Sequence, residues 1–577
     1  MKRLYPYIKP YMWVIVLTLL IKLAATTAEL MIPRLMQTII DKTVPAVKAG
    51  GSASQIYIMG GLMLLSAVIG LTCNILANRM AAVSGGKITK QLRHDLFDKL
   101  GGLSARQMDK LTTSSAVSRL TSDTYNFNQL ITRIQRMGIR GPILLVGGII
   151  MMLSMDPKLA LVLVGLLPII SITVILVTRK TVPLFGKTQQ IQDDIVRVCQ
   201  ENITGIRVIK ALSKTEYEKE RFHKVNDAHS ATSQKAATIN NITSPITSVI
   251  MNLGLTLVVV VGAYRVNGGA IQSGVIVAFL QYYTKILMAT MGITRVFIMW
   301  SKGEASAKRI ADVLELEEDL QVQPATEQEQ DAPHIEFRNV NFSYTGVDKD
   351  LENISFKLGH GQTLGILGPT GSGKSTLINL LLRLYDTDSG TVLIDGQDIR
   401  TIDYDTLRSK FGVVFQNDFV TEGTIGHNIA FFRDLTEEQL EKAADSAQAA
   451  EFISQKDGHM EAEVTVRGNN LSGGQKQRLL ISRALAADPE ILVLDDSSSA
   501  LDYKTDANLR RALRENYRNT TTVLIAQRVS SLRHADLILV LDNGQIIGAG
   551  CHDELMETCD EYRIIAQTQM GDGKEAV

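Results

Sequence analysis

The stretch TLGILGPTGSGKST, residues 363–376, decides the fold of the second half of this 577-residue chain. Apolar residues of strand character lead into a glycine-rich loop, and the loop opens a helical segment that reads STLINLLLRL. Strand, loop and helix in this order are the context in which G-x-x-x-x-G-K-[ST] forms a phosphate-binding loop, which disfavours a chance glycine-rich turn. The glycines let backbone N–H groups and the helix N-terminus face phosphate oxygens.

This phosphate-binding loop, residues 368–376, supplies most of the predicted ATP ligands. We expect Lys374 to reach the β- and γ-phosphates and Ser375 to offer its hydroxyl to Mg²⁺. ATP and Mg²⁺ are therefore the predicted cofactors. The predicted nucleotide-binding residues of the loop are Gly368, Pro369, Thr370, Gly371, Ser372, Gly373, Lys374, Ser375 and Thr376.

A second stretch, ILVLDD at residues 491–496, has the pattern of a buried strand that ends in two carboxylates. An acid in this place beside a phosphate-binding loop is the usual second anchor of the nucleotide's Mg²⁺, so Asp495 is a predicted metal ligand. The next position, Asp496, normally orients or deprotonates the attacking water. Short strands TLGILG, GVVFQ, ILVLD and TVLIAQ alternate with helical segments and predict a parallel sheet covered by helices.

The first half of the chain has the composition of a membrane domain. Over the whole chain, 60 basic residues balance 60 acidic residues, which argues against a nucleic-acid partner. Six apolar stretches are each close to the ~20 residues with which a helix crosses a bilayer. They are residues 12–31, 57–77, 137–155, 159–177, 246–264 and 274–300.

We therefore predict a multi-domain membrane protein. An all-α six-helix transmembrane domain with long cytosolic helices occupies residues 1–315, a linker residues 316–333, and an α/β P-loop nucleotide-binding domain residues 334–577. The long connectors after the second and fourth stretches are rich in Lys and Arg, so the positive-inside tendency places them in the cytosol. The predicted location is the plasma membrane, with the N-terminus and the nucleotide-binding domain cytosolic.

The string LSGGQKQR, residues 471–478, indicates which family of proteins with a phosphate-binding loop the chain resembles. With the phosphate-binding loop and six preceding spans, it makes the chain resemble a half-unit of an ABC transporter of the exporter type. The resemblance implies that two nucleotide-binding domains enclose two ATP molecules head to tail. Each site then uses the phosphate-binding loop of one subunit and the signature of the other, here Ser472, Gly473, Gly474 and Gln475.

The same resemblance implies roles for further residues. Tyr344 matches the aromatic that stacks on adenine, with a plain sheet-edge tyrosine as the alternative. Gln416 matches the glutamine that senses Mg²⁺ and the γ-phosphate, and Asp502 matches a loop that communicates across the dimer. Residues 201–222 resemble the second cytosolic loop of such exporters, whose short docking helix we expect near residues 213–222. A solvated charged helix is the alternative there.

Two residues depart from the family pattern. Active members carry Glu where this chain has Asp496, which is shorter by one carbon, or about 1.5 Å of reach. Gln527 stands where the family has a histidine, and glutamine cannot carry the proton or the charge of histidine. The predicted catalytic residues are Asp496, Gln527 and Gln416, and the predicted metal ligands are Ser375, Gln416 and Asp495.

These departures favour a heterodimer over a homodimer, with a degenerate ATP site in this chain and an intact signature that completes the active site of a second half-transporter. The predicted activity is ATP-driven export of hydrophobic or amphipathic small molecules, drug-like by resemblance. The alternatives are a lipid or peptide exporter and an ATP-gated channel or regulatory protein.

Charged residues interrupt the apolar stretches. Lys22 and Glu29 lie seven residues apart in the first stretch, Arg34 follows, and Arg295 lies in the sixth. Ionisable groups in a membrane span favour a water-filled translocation cavity. An ion pair between helices, or an arginine that reaches the membrane surface, is the alternative.

Overall fold

The computed structural model describes residues 2–50, 52–317, 319–324, 329, 331–416, 419–497 and 499–570. Its internal contacts form two compact units. The first contains Met1–Gly101 and Ser114–Leu316, and the second contains Gly102–Thr113 and Glu317–Val577. Residues 318, 325–328 and 330 of the predicted linker lie outside the described part, so the linker stays a prediction.

The first unit is helical throughout its described elements. Its long helices alternate with short ones, and π-helical turns at Ile39–Thr43, Arg119–Asp123 and Ile134–Gly138 interrupt the α-helical pattern. The helices, numbered along the chain, are α1 Tyr5–Ile8, α2 Met12–Thr38, α3 Val44–Lys48, α4 Ser54–Gly101, α5 Ala105–Leu111 (in the second unit), α6 Thr113–Ser118, α7 Thr124–Arg133, α8 Arg140–Met155, α9 Pro157–Thr204, α10 Ile206–Ala211, α11 Thr215–Asn241, α12 Thr243–Asn267 and α13 Ser273–Leu314.

Five helical segments among the described residues are long and apolar enough to cross a membrane: Tyr5–Lys48, Ser54–Gly101, Thr113–Met155, Pro157–Thr204 and Thr215–Asn267. They contain the first five predicted spans. The sixth predicted span lies on α13, and part of its side chains between 291 and 298, Arg295 included, lie outside the description. Large apolar side chains such as Leu64 and Leu71 point outward on α4, as expected of a surface in contact with lipid.

The second connector differs from the prediction. The short helix is α10, Ile206–Ala211, whereas residues 213–222 form a turn and the first turns of the 27-residue α11. Gly205 separates α9 from α10, and Ser213, with φ of 54°, separates α10 from α11. The charge pattern of residues 213–222 therefore belongs to a long exposed helix, so the expectation of a short helix there was wrong, and the docking role of this connector stays a prediction.

The second unit is an α/β domain, and its described residues form three sheets. Its strands are β1 Ile335–Phe342, β2 Leu351–Leu358, β3 Thr363–Leu367, β4 Ser389–Ile394, β5 Gln397–Asp398, β6 Phe411–Val414, β7 Gly423–Thr424, β8 Glu463–Val464, β9 Ile491–Asp495, β10 Thr521–Ile525, β11 Leu537–Asp542 and β12 Gln545–Gly550. Its helices after α5 are α14 Lys374–Leu381, α15 Tyr404–Ser409, α16 Ile425–Ala430, α17 Glu437–Ser446, α18 Ala450–Ser454, α19 Gly473–Leu485, α20 Tyr503–Asn516, α21 Val529–Leu532, α22 His552–Thr558 and α23 Asp560–Met570.

The six-stranded sheet has the order β12-β11-β3-β10-β9-β6. Pairs β11–β3, β3–β10, β10–β9 and β9–β6 are parallel, and only β12 pairs antiparallel with its neighbour. The four predicted strands correspond to β3, β6, β9 and β10, so the parallel α/β prediction is confirmed. A four-stranded antiparallel sheet, β2-β1-β4-β5, completes the main core.

Helix α5 was not predicted to belong with the nucleotide-binding unit. Ser104 caps it through a capping box with Gln107, and Ala105 packs against the core of the second unit. The hydroxyl of Tyr385 donates to Asp109 of this helix at 2.5 Å. Burial raises the pKa of Tyr385 because it disfavours the charged phenolate. The bond to Asp109 raises it further, because a phenolate could not donate to the carboxylate.

Candidate functional site: an ATP-binding centre

The phosphate-binding loop lies between the end of β3 at Leu367 and the start of α14 at Lys374. Gly373 adopts φ of 96°, in the left-handed region that glycine tolerates best. A Cβ at Gly368 would lie 2.3 Å from the carbonyl oxygen of Leu541, and one at Gly373 would lie 2.6 Å from Leu351 Cδ2. The loop therefore needs glycine at both positions, as the motif predicts.

Lys374, Ser375 and Asp495 converge at this loop. The Ser375 hydroxyl donates to Asp495 Oδ2 at 3.1 Å, and Lys374 Nζ donates to the carbonyl oxygens of Gly368 at 2.9 Å and Pro369 at 2.6 Å. They meet because β3 and β9 flank β10 in one parallel sheet and end at the same edge. The sheet thus brings the two halves of the predicted phosphate and metal site together.

Burial acts on both charged groups of this edge. Asp495 is 5% exposed, and burial raises its pKa although the Ser375 hydroxyl and Lys374 oppose the shift. Burial also lowers the pKa of Lys374, against the attraction of Asp495 and Asp496. Both groups are held in a place that disfavours their charges, so ligands of opposite charge are favoured there.

The residues at this edge fit Mg²⁺ and a polyphosphate. A hydroxyl and a carboxylate are the hard oxygen donors that Mg²⁺ prefers, so Ser375 and Asp495 would hold the ion. When bound, Mg²⁺ neutralises charge on the phosphate oxygens. The buried hydroxyl of Ser372 has no hydrogen-bond partner among the described residues, which leaves a polar group in the loop for a phosphate oxygen.

The three predicted catalytic residues also lie together. Gln527 Nε2 donates to Asp496 Oδ2 at 3.1 Å, and Gln416 Nε2 lies 3.5 Å from the same oxygen. Asp496 follows the last residue of β9 with φ of 48°, a conformation that Asp and Asn tolerate better than most residues. A groove of about 430 Å³ is lined here by Asp496, Gln527 and Arg528, among others. Amide donors thus occupy one oxygen of the carboxylate at the position predicted to activate water.

The signature forms the start of α19. Ser472 Oγ accepts from the Gln475 N–H at 3.3 Å, and Gln475 Oε1 accepts from the Ser472 N–H at 3.1 Å, which is a capping box. The box fixes a helix N-terminus, where backbone N–H groups favour anions. Within the described residues, hydrogen bonds of the signature run to its own helix and neighbouring loops, and the structure does not bring it to the chain's own phosphate-binding loop.

Asp502 and Tyr344 have structural partners in this chain. Asp502 caps α20 by accepting from Thr505 N–H at 2.9 Å and Thr505 Oγ1 at 2.8 Å, and these bonds lower its pKa. The Tyr344 ring lies edge-on to Phe342 and Tyr385, at centroid distances of 4.8 and 5.0 Å. Its hydroxyl accepts a hydrogen bond from Asn379 at 3.0 Å. The role of Tyr344 in stacking on adenine stays a prediction.

Sequence reasoning assigned no role to Gln477. Its Nε2 donates to Ser499 Oγ at 3.2 Å, and its Oε1 accepts from the Ala500 N–H at 3.0 Å. These bonds tie the signature helix to the segment that leads from Asp496 to Asp502. The only signal in the sequence was its place inside LSGGQKQR, two residues after the signature.

In the membrane unit, Lys22 and Glu29 have partners on other helices. Glu29 forms ion pairs with Arg140 on α8 and Lys285 on α13, both at 3.0 Å. Lys22 Nζ donates to Asn78 Oδ1 at 3.1 Å and also to Asn74, both on α4. Both charged residues line a cavity of about 260 Å³, whereas Arg34 bonds Gln37 on its own helix. Glu29 therefore forms the interhelical ion pairs that the alternative predicted. Lys22 and Glu29 also line one cavity.

Comparison with known proteins is consistent with these features. Residues 15–291 match the family model of the ABC transporter transmembrane region, and residues 351–499 match that of the ABC transporter. An uncharacterised ABC transporter ATP-binding protein YfiB of Bacillus subtilis is 34% identical over 100% of both chains. A fatty acid ABC transporter ATP-binding/permease protein of Mycobacterium bovis is 33% identical over 83% of this chain and 76% of its own.

Among solved structures, that of a bacterial Atm1-family ABC exporter with ATP bound has a TM-score of 0.79 and 25% identity, and the likeness covers 98% of this chain and 99% of the other. The same order of a helical membrane domain and a nucleotide-binding domain therefore extends over the whole chain. The chain belongs to the ABC transporter family and is a half-transporter of the exporter type, whose ATP-binding domain implies an ATPase coupled to transport.

Proposed function

We propose that this chain is one half of a heterodimeric ABC exporter of the plasma membrane, which moves hydrophobic or amphipathic small molecules outward by ATP-driven alternating access. The N-terminus and the nucleotide-binding domain lie in the cytosol. Its own ATP site binds nucleotide and hydrolyses it slowly, while residues 471–475 complete the faster site of the partner.

The observation that carries this proposal is the contact between Gln527 Nε2 and Asp496 Oδ2 at 3.1 Å. A general base needs a free lone pair within reach of the proton that it removes. Here the carboxylate is one carbon shorter than glutamate, and the amide of Gln527, which cannot take up a proton, donates to its Oδ2 and lowers the basicity of the carboxylate. A misplacement of about 1 Å can cost ~10²-fold in rate, so this site favours binding over turnover.

The residues that bind ATP remain in place. Lys374 lies beside the loop, Ser375 and Asp495 share a hydrogen bond, and the glycines keep the loop open to phosphates. The capping box of Ser472 and Gln475 keeps the signature helix ready for a phosphate of the partner's site. ATP held at the slow site keeps the two nucleotide-binding domains associated, and hydrolysis at the partner's site resets the cycle.

Exposed apolar residues in the second connector support a second subunit. Ile206, Val208 and Leu212 on and beside α10 are 43%, 61% and 65% exposed. Apolar side chains at a connector between membrane helices lack lipid to cover them, so they favour docking on another protein surface. A partner subunit's nucleotide-binding domain is the proposed surface.

A second candidate cargo is an amphipathic anion, such as a fatty acid. Arg140 and Lys285 pair with the carboxylate of Glu29, and Lys22 and Arg136 both donate to Asn78, so cations outnumber carboxylates among these described residues. Buried charge in a membrane span is costly without a partner of opposite sign. This excess of cations favours a cargo with a carboxylate or phosphate head, and one relative carries the name of a fatty acid transporter.

The test is vectorial uptake into inverted vesicles by the tagged complex purified from its native host and reconstituted. A hydrophobic dye, oleate and oleyl alcohol are compared as cargo, with ATP and with a non-hydrolysable analogue. Export requires uptake that depends on hydrolysis, and uptake with the analogue alone would favour a channel or regulatory protein. Preference for oleate over the alcohol, lost in Arg140→Gln and kept in Arg34→Gln, would support the anionic cargo; equal uptake in all three proteins would exclude it.

A further inference from the structure

Three metal-ligating side chains meet beside the antiparallel sheet, away from the residues that bind ATP. His334 directly precedes β1, His360 lies in the turn between β2 and β3, and Asp395 lies in the turn between β4 and β5. One ligand atom of each residue lies within 4.8 Å of the other two. His360 Nε2 is 2.9 Å from Asp395 Oδ1, and His334 Nε2 is 4.0 Å from the same oxygen. Three turns that are distant in sequence thus present two imidazoles and one carboxylate to a common point.

His334 is the buried member of this cluster and is 1% exposed. Its Nδ1 lies 2.6 Å from Thr521 Oγ1. That hydroxyl accepts from the Gly361 N–H at 3.0 Å and faces the Gly359 carbonyl oxygen at 3.5 Å, to which it donates. When the Thr521 hydroxyl donates to Gly359, its oxygen accepts from Nδ1–H, and this tautomer leaves the Nε2 lone pair directed at the cluster.

The buried Nε2 of His334 has no hydrogen-bond partner among the described residues. Buried polar atoms normally have a hydrogen-bond partner, so the absence of a partner for this atom requires an explanation. A metal-ligating histidine usually holds its other ring nitrogen in a hydrogen bond that fixes the tautomer, which is the part played here by Thr521. The arrangement is that of a ligand with its outer partner already in place.

The surrounding charges are compatible with a cation. Asp395 Oδ2 lies 3.8 Å from Lys410 Nζ, and Lys410 is also paired with Glu490. Asp395 can therefore keep Oδ2 toward the ammonium while Oδ1 faces the imidazoles. The two imidazole rings are stacked at 4.0 Å, and the His360 side chain is 65% exposed, so its ring is free to turn toward a shared ion.

We propose that His334, His360 and Asp395 bind one divalent transition-metal ion of the zinc class, with water as the fourth ligand. Tetrahedral ligands at ~2.0–2.1 Å from zinc lie about 3.3 Å from one another, between the 2.9 and 4.0 Å separations found here. Two imidazoles and a carboxylate suit Zn²⁺, whereas Mg²⁺ prefers oxygen donors. The ion would join the turns around β1, β2 and β4 and stabilise this part of the ATP-binding domain.

The test uses the full-length protein in detergent, purified with a tag that contains no histidines and stripped with a chelator. The protein is titrated with Zn²⁺ in ATP-free buffer, and at each concentration bound zinc is analysed by mass spectrometry after passage through a desalting column. We expect one zinc per chain in the unaltered protein and a loss of at least about tenfold in affinity in His360→Ala and Asp395→Asn. His360 is exposed, so its replacement leaves the fold intact.

His459→Ala is the matched control, since His459 is exposed and lies in the same domain outside the cluster. It should bind zinc like the unaltered protein, and Zn²⁺ but not Mg²⁺ should raise the melting temperature of both. Thr521→Val should weaken zinc binding by ~10–100-fold, since it removes the acceptor for His334 Nδ1–H. Equal zinc content in the unaltered protein and His360→Ala, or no bound zinc in either, would overturn the proposal.

Discussion

The nucleotide-binding domain contains two regions that differ in how far they keep the family's residues for ATP hydrolysis. One is the signature, residues 471–475, and the other is the segment of residues 495–527. The signature keeps the family residues, and its capping box of Ser472 and Gln475 is complete. At the other end, Asp496 and Gln527 replace the expected Glu and His and bond each other. The family resemblance implies that these two ends belong to different ATP sites, and under the proposed function one chain therefore serves a fast site and a slow site. The following predictions change one end while the other stays as it is.

The largest effect is expected from restoring both departures together. When two copies of the chain pair in nanodiscs, both supply an intact signature, so we expect residues 496 and 527 to limit turnover. Asp496→Glu with Gln527→His should raise ATP hydrolysis by about 10²–10⁴-fold, because reach and a proton carrier return together. The rate of phosphate release measures this ATPase activity. Asp496→Asn with Gln527→His is the control and should stay slow; a fast control would show that the carboxylate is irrelevant.

The next largest effect is expected from a negative charge placed in the signature. Gly473→Asp places a carboxylate at the first turn of α19, where the new Cβ would lie 3.6 Å from Ala500 Cβ. The helix tolerates an acid there, but the acid repels the partner's γ-phosphate. ATPase activity of the heterodimeric complex should fall about 10²-fold, as on loss of a phosphate-stabilising donor. Gly473→Ala, with the same Cβ and no charge, should keep most activity, and equal losses would point to sterics.

A smaller effect is expected at the phosphate-binding loop. Lys374→Met removes the ammonium that reaches the β- and γ-phosphates and should weaken ATP binding at this chain's site by ~10–100-fold. Equilibrium binding of a fluorescent ATP analogue measures the change. Lys349→Met, which removes an exposed lysine paired with Glu352, is the matched control and should bind ATP normally. Unchanged affinity in Lys374→Met would contradict the assignment of the loop.

The smallest effect concerns stability. Burial raises the pKa of Asp495, so the folded protein binds a proton more readily than the unfolded chain, and stability falls as pH rises from the ordinary carboxyl pKa through the raised value. Asp495→Asn removes that cost and retains an acceptor for Ser375, so the nucleotide-free protein should gain about 1 kcal/mol at neutral pH. Thermal unfolding without nucleotide measures it. A loss of stability at neutral pH would show that the charge is stabilising.

Local patterns were enough to predict much of the fold and the site. The strand-loop-helix order at residues 363–376 and the run that ends in Asp495 depend on neighbouring residues, so β3, α14 and β9 could be predicted. The contact of Gln527 with Asp496 could not, because it requires β10 beside β9 in a parallel sheet. Likewise, α5 joined the nucleotide-binding unit through packing of Ala105 and the bond from Tyr385 to Asp109, which no spacing reveals.

The position of α10 shows a different limit. The charges of residues 213–222 are typical of an exposed helix, and they do form one, but as the start of α11. The ends of α10 depend on two single-residue features, Gly205 and the left-handed Ser213. Serine carries no strong preference for that conformation, so the boundary could not be predicted from the sequence.

The central claim is that this chain binds ATP more than it hydrolyses it, and its most direct test is the ATPase activity of two preparations, each with and without Asp496→Asn. Asn tolerates the left-handed backbone at position 496, so the variant keeps the fold. The account predicts ATP binding with little hydrolysis by the chain alone, and robust hydrolysis by the complex that stays within about twofold in the variant, since catalysis there falls to the partner's base. Robust hydrolysis by the chain alone that is lost in Asp496→Asn would contradict it.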